Sequence, residues 1–320
     1  MNNLISICIP TYNRESLLKE SLVKLISQIR EFSIAIYISD NSSSDNTEKV
    51  VKELSNNYKY IFYHKNSKNI GLDRNFESVL RMSKTKYSWL LGDDDGIRTE
   101  SITQILESIS NNNYDFVVLN GGFENKPFVR VKDIQTQIYK DRNLILSELG
   151  WHMTWMSSLI FNNKSIEKMD FSPHYDTLFS HIGAIFNFLS KKDRINVYWL
   201  NKPVFYPTSK AIFSWSSMIF KVFGKNWTDI IINLPKNYSK ESKINCIKKH
   251  GLESGLFTMV GFLNLRSKNA FNFKSFIEYR LYFDYITNIP SLILLFISIF
   301  PIQILYPFAF SFRYIKHKLK

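Results

Sequence analysis

The feature that most constrains the fold is an alternation of short β-rich runs with helical segments across residues 1–120. The β-rich runs are Leu4–Ile9, Ile34–Ile38, Tyr60–Tyr63, Tyr87–Leu91 and Phe116–Leu119. The segments with apolar residues at helical spacing are Ser16–Ile29, Thr47–Leu54, Asn75–Met82 and Ile102–Ile109. Alternation of this kind predicts an α/β fold with a mostly parallel central sheet and helices on both faces.

After about residue 125 the pattern loosens, and the elements become harder to assign. The predicted elements there are a strand at Ser158–Phe161, a helix at His174–Leu189, a strand at Val197–Tyr206 and basic helical stretches at Glu241–Phe262 and Phe271–Ile286. We therefore predict a first domain over residues 1–206, divided near residue 120. A basic helical extension over 207–284 and an apolar tail over 285–320 are predicted to follow it.

Charge is distributed unevenly between the two parts of the chain. Residues 1–190 contain 21 Lys and Arg against 22 Asp and Glu, whereas residues 191–320 contain 20 against 6. A basic half of this kind favours an anionic partner. The N-terminus lacks the basic region and long apolar core of a signal peptide, so we expect a cytoplasmic location. Cys8 and Cys246 are predicted to be reduced, buried thiols.

The apolar tail makes a membrane the favoured anionic partner, rather than nucleic acid. No charged residue occurs from Tyr285 to Phe312, and the chain closes with four basic residues. This length is sufficient for a membrane span, but Pro290, Pro301 and Pro307 divide it. Short helices in the interface or a re-entrant pair, a single span and a buried soluble hairpin all remain open.

The sharpest chemical signal is the run Asp93-Asp94-Asp95, which directly follows a buried apolar strand. Three adjacent carboxylates repel one another, so a loop that concentrates them needs a compensating cation. Mn²⁺ and Mg²⁺ prefer oxygen ligands and are often held by one or two carboxylates together with phosphate oxygens. The run therefore predicts a divalent metal site.

Other polar clusters follow neighbouring predicted strands. Pro10 is expected to end the first strand and to open a loop, Pro10–Arg14, that suits a nucleotide base and ribose. Asp40 closes the second strand, and the segment Asn69–Asn75 offers backbone groups and an arginine for phosphates. Because ligands bind at the carboxyl ends of parallel strands, we expect these clusters to meet.

These motifs together resemble the family 2 glycosyltransferases of the GT-A fold, and look closest to the branch with abequosyltransferase-like and other surface-polysaccharide enzymes. The stretches that carry the resemblance are Ser6–Arg14, Ile38–Thr47, Asn69–Asn75 and Leu90–Asp95. The resemblance implies an inverting transfer of a sugar from a nucleotide-sugar donor to an acceptor. A membrane-bound, lipid-linked saccharide of surface-polysaccharide assembly is the acceptor that this implies.

The resemblance also assigns roles to residues. It implies Asp95 as the direct metal ligand of an Asp-x-Asp motif, with Asp93 in support. The residues implied in nucleotide-sugar binding are Pro10, Thr11, Tyr12, Asn13, Arg14, Asp40, Asn69, Gly71, Arg74, Asn75, Asp93 and Asp94. In the family the general base lies in the second half, often in a Glu-Asp pair, which is missing here. Asp176 is predicted as the base, with His181 as the alternative.

Two further questions stay open from the sequence. Trp151, His152 and Trp155 form either a platform for an acceptor sugar or part of the core or a lipid-facing surface. The alternative functions are metal-dependent nucleotidyl transfer and a non-catalytic membrane scaffold. Nucleotidyl transfer would normally use a glycine-rich loop after the first strand, and residues 10–14 do not provide one.

Overall fold

The computed structural model describes residues 1–124, 126–208 and 218–301. Two compact units divide the chain. The first consists of Met1–Ile145 with His152–Ile212, and the second of Leu146–Trp151 with Phe213–Lys320. The domain boundaries predicted at residues 206 and 284 stay predictions, and the predicted tail beyond Pro301 lies outside the described residues.

The strands of the first unit form one mixed sheet. In chain order they are β1 (Ile5–Thr11), β2 (Ala35–Asp40), β3 (Ile61–Lys65), β4 (Tyr87–Leu90), β5 (Asp95–Ile97), β6 (Phe116–Phe123), β7 (Lys126–Val129), β8 (Gln137–Tyr139), β9 (Leu159–Asn162) and β10 (Val197–Pro207). The order across the sheet is β3-β2-β1-β4-β9-β6-β10-β5, with β7 beside β6 and β8 beside β10. A core cluster of the unit covers one face of the sheet, where alternate residues of the strands lie, such as Ile5, Ile7 and Ile9 of β1 and Ile36 and Ile38 of β2.

The prediction of a mostly parallel sheet is correct for the N-terminal strands and for the pair β6 and β10, but not for the rest of the sheet. β3, β2, β1 and β4 are all parallel. β9 runs antiparallel to both β4 and β6, and β5 runs antiparallel to β10. Apolar periodicity identifies a strand but does not reveal its direction, so these antiparallel insertions could not be predicted.

The helices, in chain order, are α1 (Glu15–Ile29), α2 (Thr47–Asn57), α3 (Leu72–Met82), α4 (Ser101–Ser110), α5 (Arg142–Leu149), α6 (Asn163–Ile166), α7 (Ser180–Ser190), α8 (Trp227–Ile232), α9 (Lys240–Glu253), α10 (Met259–Ser267), α11 (Phe273–Tyr279), α12 (Phe283–Ile286) and α13 (Ser291–Ile299). In α1 the apolar spacing has the predicted effect: Leu18, Leu22 and Leu25 are buried, whereas Val23 is 51% exposed. Complete burial of one leucine side chain on this face stabilises the fold by roughly 1.5–3 kcal/mol relative to leaving it exposed.

The prediction that Pro10 ends the first strand is wrong. β1 continues to Thr11, although proline lacks a backbone N–H. The carbonyl of Cys8 accepts from Leu91 on the β4 side, whereas that of Thr11 accepts from Asn41 on the β2 side. Alternate residues face alternate neighbours, so Pro10 faces the β4 side, beyond the end of that strand. No ladder bond there requires its missing N–H.

The helix predicted from His174 begins only at Ser180. Asp176 and Leu178 adopt left-handed φ values of 65° and 69°, which an α-helix does not accommodate. The preceding residues form a short 3₁₀ turn at Ser172–His174 and then a loop. The sequence prediction of a helix over residues 174–179 is therefore wrong.

The second unit is mainly helical in its described part. A π-helix at Phe220–Asn226 precedes α8, and phenylalanine rings form its core, with Phe220 and Phe271 centroids 5.4 Å apart and Phe262 and Phe271 centroids 4.9 Å apart. Within residues 1–124, 126–208 and 218–301, none of the helices has the length and hydropathy needed to cross a membrane. Cys8 and Cys246 are both buried and free, as expected.

Candidate active site

The carboxyl ends of β2, β1 and β4 bring the predicted motifs together at one edge of the sheet. Thr11 at the end of β1 lies opposite Asp40 at the end of β2, and the Asn41 N–H donates to the Thr11 carbonyl at 2.9 Å. The acidic run begins at Asp93, three residues after Leu90, the last residue of β4. Ligands of α/β folds generally bind at the carboxyl ends of parallel strands, so this edge is the candidate site.

Arg14 and Thr11 hold the first two carboxylates of the acidic run. Arg14 Nη1 donates to Asp94 Oδ2 at 2.7 Å and to Asp93 Oδ1 at 3.2 Å. Thr11 Oγ1 donates to Asp93 Oδ2 at 2.8 Å. Burial opposes the charge of Arg14, but Asp93 and Asp94 outweigh that effect and raise its pKa. The loop after β1 is thus fastened to the loop after β4.

Asp95 is held from a different direction, by a segment sixty residues further along the chain. Its Oδ2 accepts from Trp155 Nε1 at 2.9 Å and from Ser157 Oγ at 2.5 Å. Ser157 Oγ also accepts from the Gly92 N–H at 2.9 Å. A Cβ on Gly92 would lie only 2.8 Å from Asp95 Oδ2, so this close approach requires glycine.

The charges of the acidic run are costly to keep together. Burial raises the pKa of Asp93 to about 6, with Arg14 opposing the rise and Asp94 adding to it. Burial raises the pKa of Asp95 to about 7, and Asp94 adds to that rise as well. A full set of negative charges at neutral pH is therefore unfavourable, and a bound cation would offset that cost.

The donor set fits a divalent cation that is shared with a ligand. In the part of the chain that the structure describes, no three His, Cys, Asp or Glu side chains are placed to hold a metal ion. Both hydrogen bonds to Asp95 fall on Oδ2, and no group among the described residues bonds to Oδ1. Mg²⁺ and similar ions commonly take one or two carboxylates and complete their shell with phosphate oxygens and water.

Asp40 and Asn41 organise the loops beside the acidic run. Asp40 is fully buried, and its two oxygens accept from the Ser43 N–H at 2.8 Å and from Tyr63 Oη at 2.5 Å. The Asn41 side chain donates to Asn69 Oδ1 and accepts from the Ile70 N–H, both at 2.9 Å. The sequence predicted Asp40 and Asn69 but missed Tyr63 and Asn41, because nothing in their local pattern marks them.

The remaining predicted binding residues differ in how accessible they are. Tyr12 is 44% exposed and can offer its ring to a ligand, whereas Pro10 is buried within β1. Asn13 adopts φ 50°, and its Oδ1 accepts from the Ser44 N–H at 2.8 Å. Asn75 is 1% exposed and ties α3 to β2 through Ser39, so it supports the edge from within.

Asp176 lies beside the loop that contains Gly71 and Arg74. Arg74 Nη1 donates to Asp176 Oδ1 at 2.8 Å and Nη2 to Oδ2 at 3.3 Å, while the guanidinium stacks 4.2 Å over the Tyr175 ring. The Asp176 side chain is 74% exposed, and the hydrogen bond from Arg74 lowers its pKa. Gly71 itself adopts φ 85°, a left-handed conformation that favours glycine.

Asp73, which the sequence did not single out, anchors the Asp176 loop. It is 2% exposed, and its carboxylate accepts from the backbone N–H groups of Thr177, Leu178 and Ser180 at 3.0, 2.9 and 3.1 Å. The alternative base, His181, is 1% exposed and burial lowers its pKa to about 4. Its buried position favours Asp176 over His181 as the group that meets an acceptor.

The three aromatic residues before β9 divide between core and site. Trp151 is 1% exposed and His152 fully buried, with His152 Nε2 2.8 Å from the Leu119 carbonyl. Trp155 instead contacts Asp95, as described above, and its ring meets Phe205 edge-on at 4.7 Å. The structure thus connects only Trp155 to the acidic run.

Comparisons with known proteins agree with this geometry. The sequence model described as "Glycosyl transferase family 2" matches residues 6–174, which is more than half of the chain. Abequosyltransferase RfbV of Salmonella typhimurium is 29% identical over 219 residues, covering 63% of this chain and 65% of that relative. Poly(ribitol-phosphate) beta-N-acetylglucosaminyltransferase TarP of Staphylococcus aureus is 27% identical over 38% of each chain. These alignments span less than two thirds of the relatives' own lengths.

Solved structures share the fold at low sequence identity. S. aureus TarS 1–349 in complex with UDP-GlcNAc has a TM-score of 0.58 and 17% identity, covering 86% of this chain and 81% of that one. Mannosyltransferase PcManGT from Pyrobaculum calidifontis, in complex with GDP-Man and Mn²⁺, has a TM-score of 0.51 and 11% identity, covering 93% and 86%. With its predicted motifs gathered at one sheet edge and more than half of its length matched by the family's sequence model, this chain belongs to glycosyltransferase family 2 and has a GT-A-like fold.

Proposed function

We propose that the protein transfers one sugar from a nucleotide-sugar donor to the hydroxyl of a saccharide acceptor, with inversion at the anomeric carbon. The observation that carries this proposal is the acidic run at the edge formed by β1, β2 and β4, where two of its three carboxylates are buried and have raised pKa values. The solved structures of TarS in complex with UDP-GlcNAc and of PcManGT in complex with GDP-Man support a donor of this class.

The donor's nucleoside lies against the loops after β1 and β2. The exposed ring of Tyr12 stacks on the base, and Thr11 and Asp40 fix the loops around the ribose. Arg14 and Arg74 bring positive charge from either side toward the diphosphate, since arginine pairs well with phosphate oxygens. Asp94, the least buried of the carboxylates that Arg14 holds, faces the nucleoside.

Asp95, supported by Asp93, would hold Mn²⁺ or Mg²⁺. Such an ion, when bound, neutralises charge that develops on the diphosphate leaving group. Trp155 and Ser157 both donate hydrogen bonds to Oδ2 of Asp95 and so fix the orientation of the carboxylate. The other oxygen, Oδ1, would bind the ion. The structure of PcManGT in complex with GDP-Man and Mn²⁺ supports the choice of ion.

Asp176 acts as the general base that takes the proton of the acceptor hydroxyl. Arg74 lowers its pKa, so the carboxylate is ionised at neutral pH and ready to accept a proton. Arg74, at the start of α3, is also proposed to contact the diphosphate, so its guanidinium would lie between the base and the donor.

The acceptor is a lipid-linked saccharide of surface-glycan assembly, and the protein works at the cytoplasmic face of a membrane. The names of RfbV and TarP, a sugar transferase and a transferase to poly(ribitol-phosphate), support a surface-glycan acceptor. The excess of 20 basic over 6 acidic residues in 191–320 supports an anionic membrane surface.

The donor is identified by thermal shift with UDP-, GDP-, CDP- and dTDP-sugars, each with and without Mn²⁺. A ligand at about 100 times its Kd stabilises the folded state by about 2.7 kcal/mol, so the correct donor should raise Tm. Because the ion is proposed to hold the diphosphate, this rise should occur only when Mn²⁺ is present. The same donor should then be hydrolysed slowly without acceptor, which a non-catalytic scaffold would not do. Release of pyrophosphate from a nucleoside triphosphate, instead of a nucleoside diphosphate from the sugar donor, would indicate nucleotidyl transfer and contradict the proposal.

A further inference from the structure

Two helices of the second unit expose large apolar side chains on one side each. On α13 the most exposed residues are Leu292 at 72%, Phe296 at 63% and Ile299 at 58%. On α11 and the 3₁₀ turn that follows it, Phe273 is 51%, Ile277 45% and Leu281 77% exposed. We call these six residues the α11–α13 face.

The spacing of these residues shows that the exposure is a property of the helices. On α13 the exposed positions recur after four and then three residues, and Leu294 and Ile297 between them are buried. On α11 Phe273 and Ile277 lie one turn apart, while Phe276 is buried. Each helix thus packs one apolar side inward and presents a second apolar side outward, where a water-soluble helix would carry polar residues.

The two exposed sides belong to neighbouring helices. α11 and α13 pack against each other, and α10 packs against α13. The Arg266 guanidinium on α10 donates to the Phe300 carbonyl at 2.9 Å and so fixes the end of α13. An exposed apolar surface formed by adjacent, well-held helices is a mark of an interaction site.

Charge distinguishes between the occupants of this face. Residues 218–301 contain 11 Lys and Arg against 5 Asp and Glu; exposed on or next to the helices concerned are the basic residues Lys268, Lys274 and Arg280 and the acidic residues Glu278 and Asp284. The net positive charge disfavours a second copy of the chain. An anionic lipid surface would be attracted by the basic residues, with roughly 1 kcal/mol for each basic residue near it.

The dimensions of α13 decide how it would meet a bilayer. It has 9 residues and lies between Pro290 and Pro301. At 1.5 Å per residue it is about 14 Å long, half of the roughly 30 Å hydrocarbon core. It also packs sideways on α10 and α11, so it suits a position in the plane of the interface.

We propose that the α11–α13 face is a membrane-docking surface that lies in the headgroup region of a bilayer containing anionic lipid, with its leucine and phenylalanine side chains inserted. This docking does not depend on the transfer reaction. The face joins α13, which lies within the predicted apolar tail, to α11 upstream of it, so the membrane contact begins at Phe273.

The test is co-sedimentation of the full chain with vesicles of phosphatidylcholine and phosphatidylglycerol in equal parts, compared with phosphatidylcholine alone. We expect the wild-type protein to bind the mixed vesicles and the double variant Leu292→Asp/Phe296→Asp to bind about tenfold more weakly or worse, because two anchors are lost and two negative charges gained. The matched control, Val23→Asp, changes an equally apolar residue of α1 that is 51% exposed, and should bind like the wild type.

Salt and a second variant keep the result interpretable. Raising the salt from about 0.1 M to about 1 M should weaken binding without abolishing it, since charge is screened and apolar insertion is not. Leu281→Asp, at the most exposed residue of the face, should also weaken binding, and near-ultraviolet circular dichroism should show that it remains folded. Wild-type binding by folded Leu281→Asp and Leu292→Asp/Phe296→Asp would overturn the proposal. So would a wild-type dimer, seen by light scattering without vesicles, that these substitutions dissociate.

Discussion

The carboxylates of the acidic run and the carboxylate of Asp176 belong to one candidate site but have opposite surroundings. The Asp93 side chain is 8% exposed, and burial raises its pKa to about 6. Asp176 is 74% exposed, and the hydrogen bond from Arg74 lowers its pKa. The carboxyl group therefore has two different environments. In the acidic run a bound cation would favour its ionised form, whereas Asp176 is ionised without a cation.

The difference extends to how each carboxylate is held. Asp95 receives hydrogen bonds from Trp155 and Ser157, which lie in the segment just before β9. Asp176 meets a single arginine and lies on a loop that Asp73 ties to α3. These supports suit the roles proposed for the two residues, a fixed ligand for an ion and an exposed base.

The largest expected effect follows from removing the cation-binding charge. Asp95→Asn should lower transfer by about a thousandfold, because the developing charge on the leaving group is no longer neutralised. The Mn²⁺-dependent rise in Tm with the donor should disappear as well. Asp115→Asn is the matched control. Asp115 lies just before β6, is also buried, at 8% exposure, and pairs with Lys192. Asp115→Asn should lower the stability of the fold but keep the rise in Tm with Mn²⁺ and donor. If Asp95→Asn also kept the full rise in Tm, the proposed difference between the acidic run and Asp176 would be wrong.

The next effect separates chemistry from donor binding. Asp176→Asn should lower transfer by about a hundredfold or more through loss of the base, while the Tm shift with donor and Mn²⁺ stays unchanged. Rates of transfer and of donor hydrolysis, measured on the same preparation, test this. Normal transfer by Asp176→Asn would show that the assignment of the base is wrong and that the exposed carboxylate has only a structural role.

A smaller effect is expected from the support beneath Asp176. Asp73→Asn weakens three backbone hydrogen bonds to a buried carboxylate and should cost about 1–3 kcal/mol of unfolding free energy. It should lower kcat by about tenfold and leave the donor-induced Tm shift intact. Asp170→Asn is the control, because Asp170 holds Ser172 in the same segment but is exposed. Equal kcat for Asp73→Asn and wild type would mean that the loop needs no such anchor.

The smallest expected effect is a pH dependence of stability. The folded-state pKa values of Asp93 and Asp95 are raised above about 3.9, the ordinary value for Asp, so the stability linked to their protonated forms is present below pH 4. That stability is lost as the pH rises through about 6 to 7. Without metal, the wild-type Tm should therefore fall between pH 5 and 7.5 more than that of Asp95→Asn, and Mn²⁺ with nucleotide should reverse the difference. Parallel curves for the two proteins would contradict the raised pKa values.

Much of the N-terminal part could be predicted from the sequence, because its elements and its site obey local rules. The end of β2 at Asp40 and the acidic run after β4 follow from periodicity and from the geometry of parallel strands, although β1 continues past Pro10 to Thr11. The family resemblance added roles to these residues but did not change their places. In the N-terminal part, local patterns therefore predicted the edge of the sheet and its charged residues.

The supports of the site could not be predicted, because they come from distant parts of the chain. Trp155 and Ser157 reach Asp95 across about sixty residues, and Asp73 reaches Ser180 across 107. No periodicity encodes such pairs. The helix predicted from His174 failed because Asp176 and Leu178 adopt left-handed φ values, in a loop whose N–H groups donate to the distant Asp73.

The central claim is that Asp95 and a divalent ion together hold the donor's diphosphate. Anomalous diffraction at the manganese edge, from crystals grown with Mn²⁺ and the nucleoside diphosphate that stabilises the protein, tests it directly. The account predicts one strong peak about 2.0–2.4 Å from an Asp95 carboxylate oxygen and in contact with the diphosphate. A bound nucleotide whose diphosphate lies away from the acidic run, or a manganese peak that avoids Asp95, would contradict it.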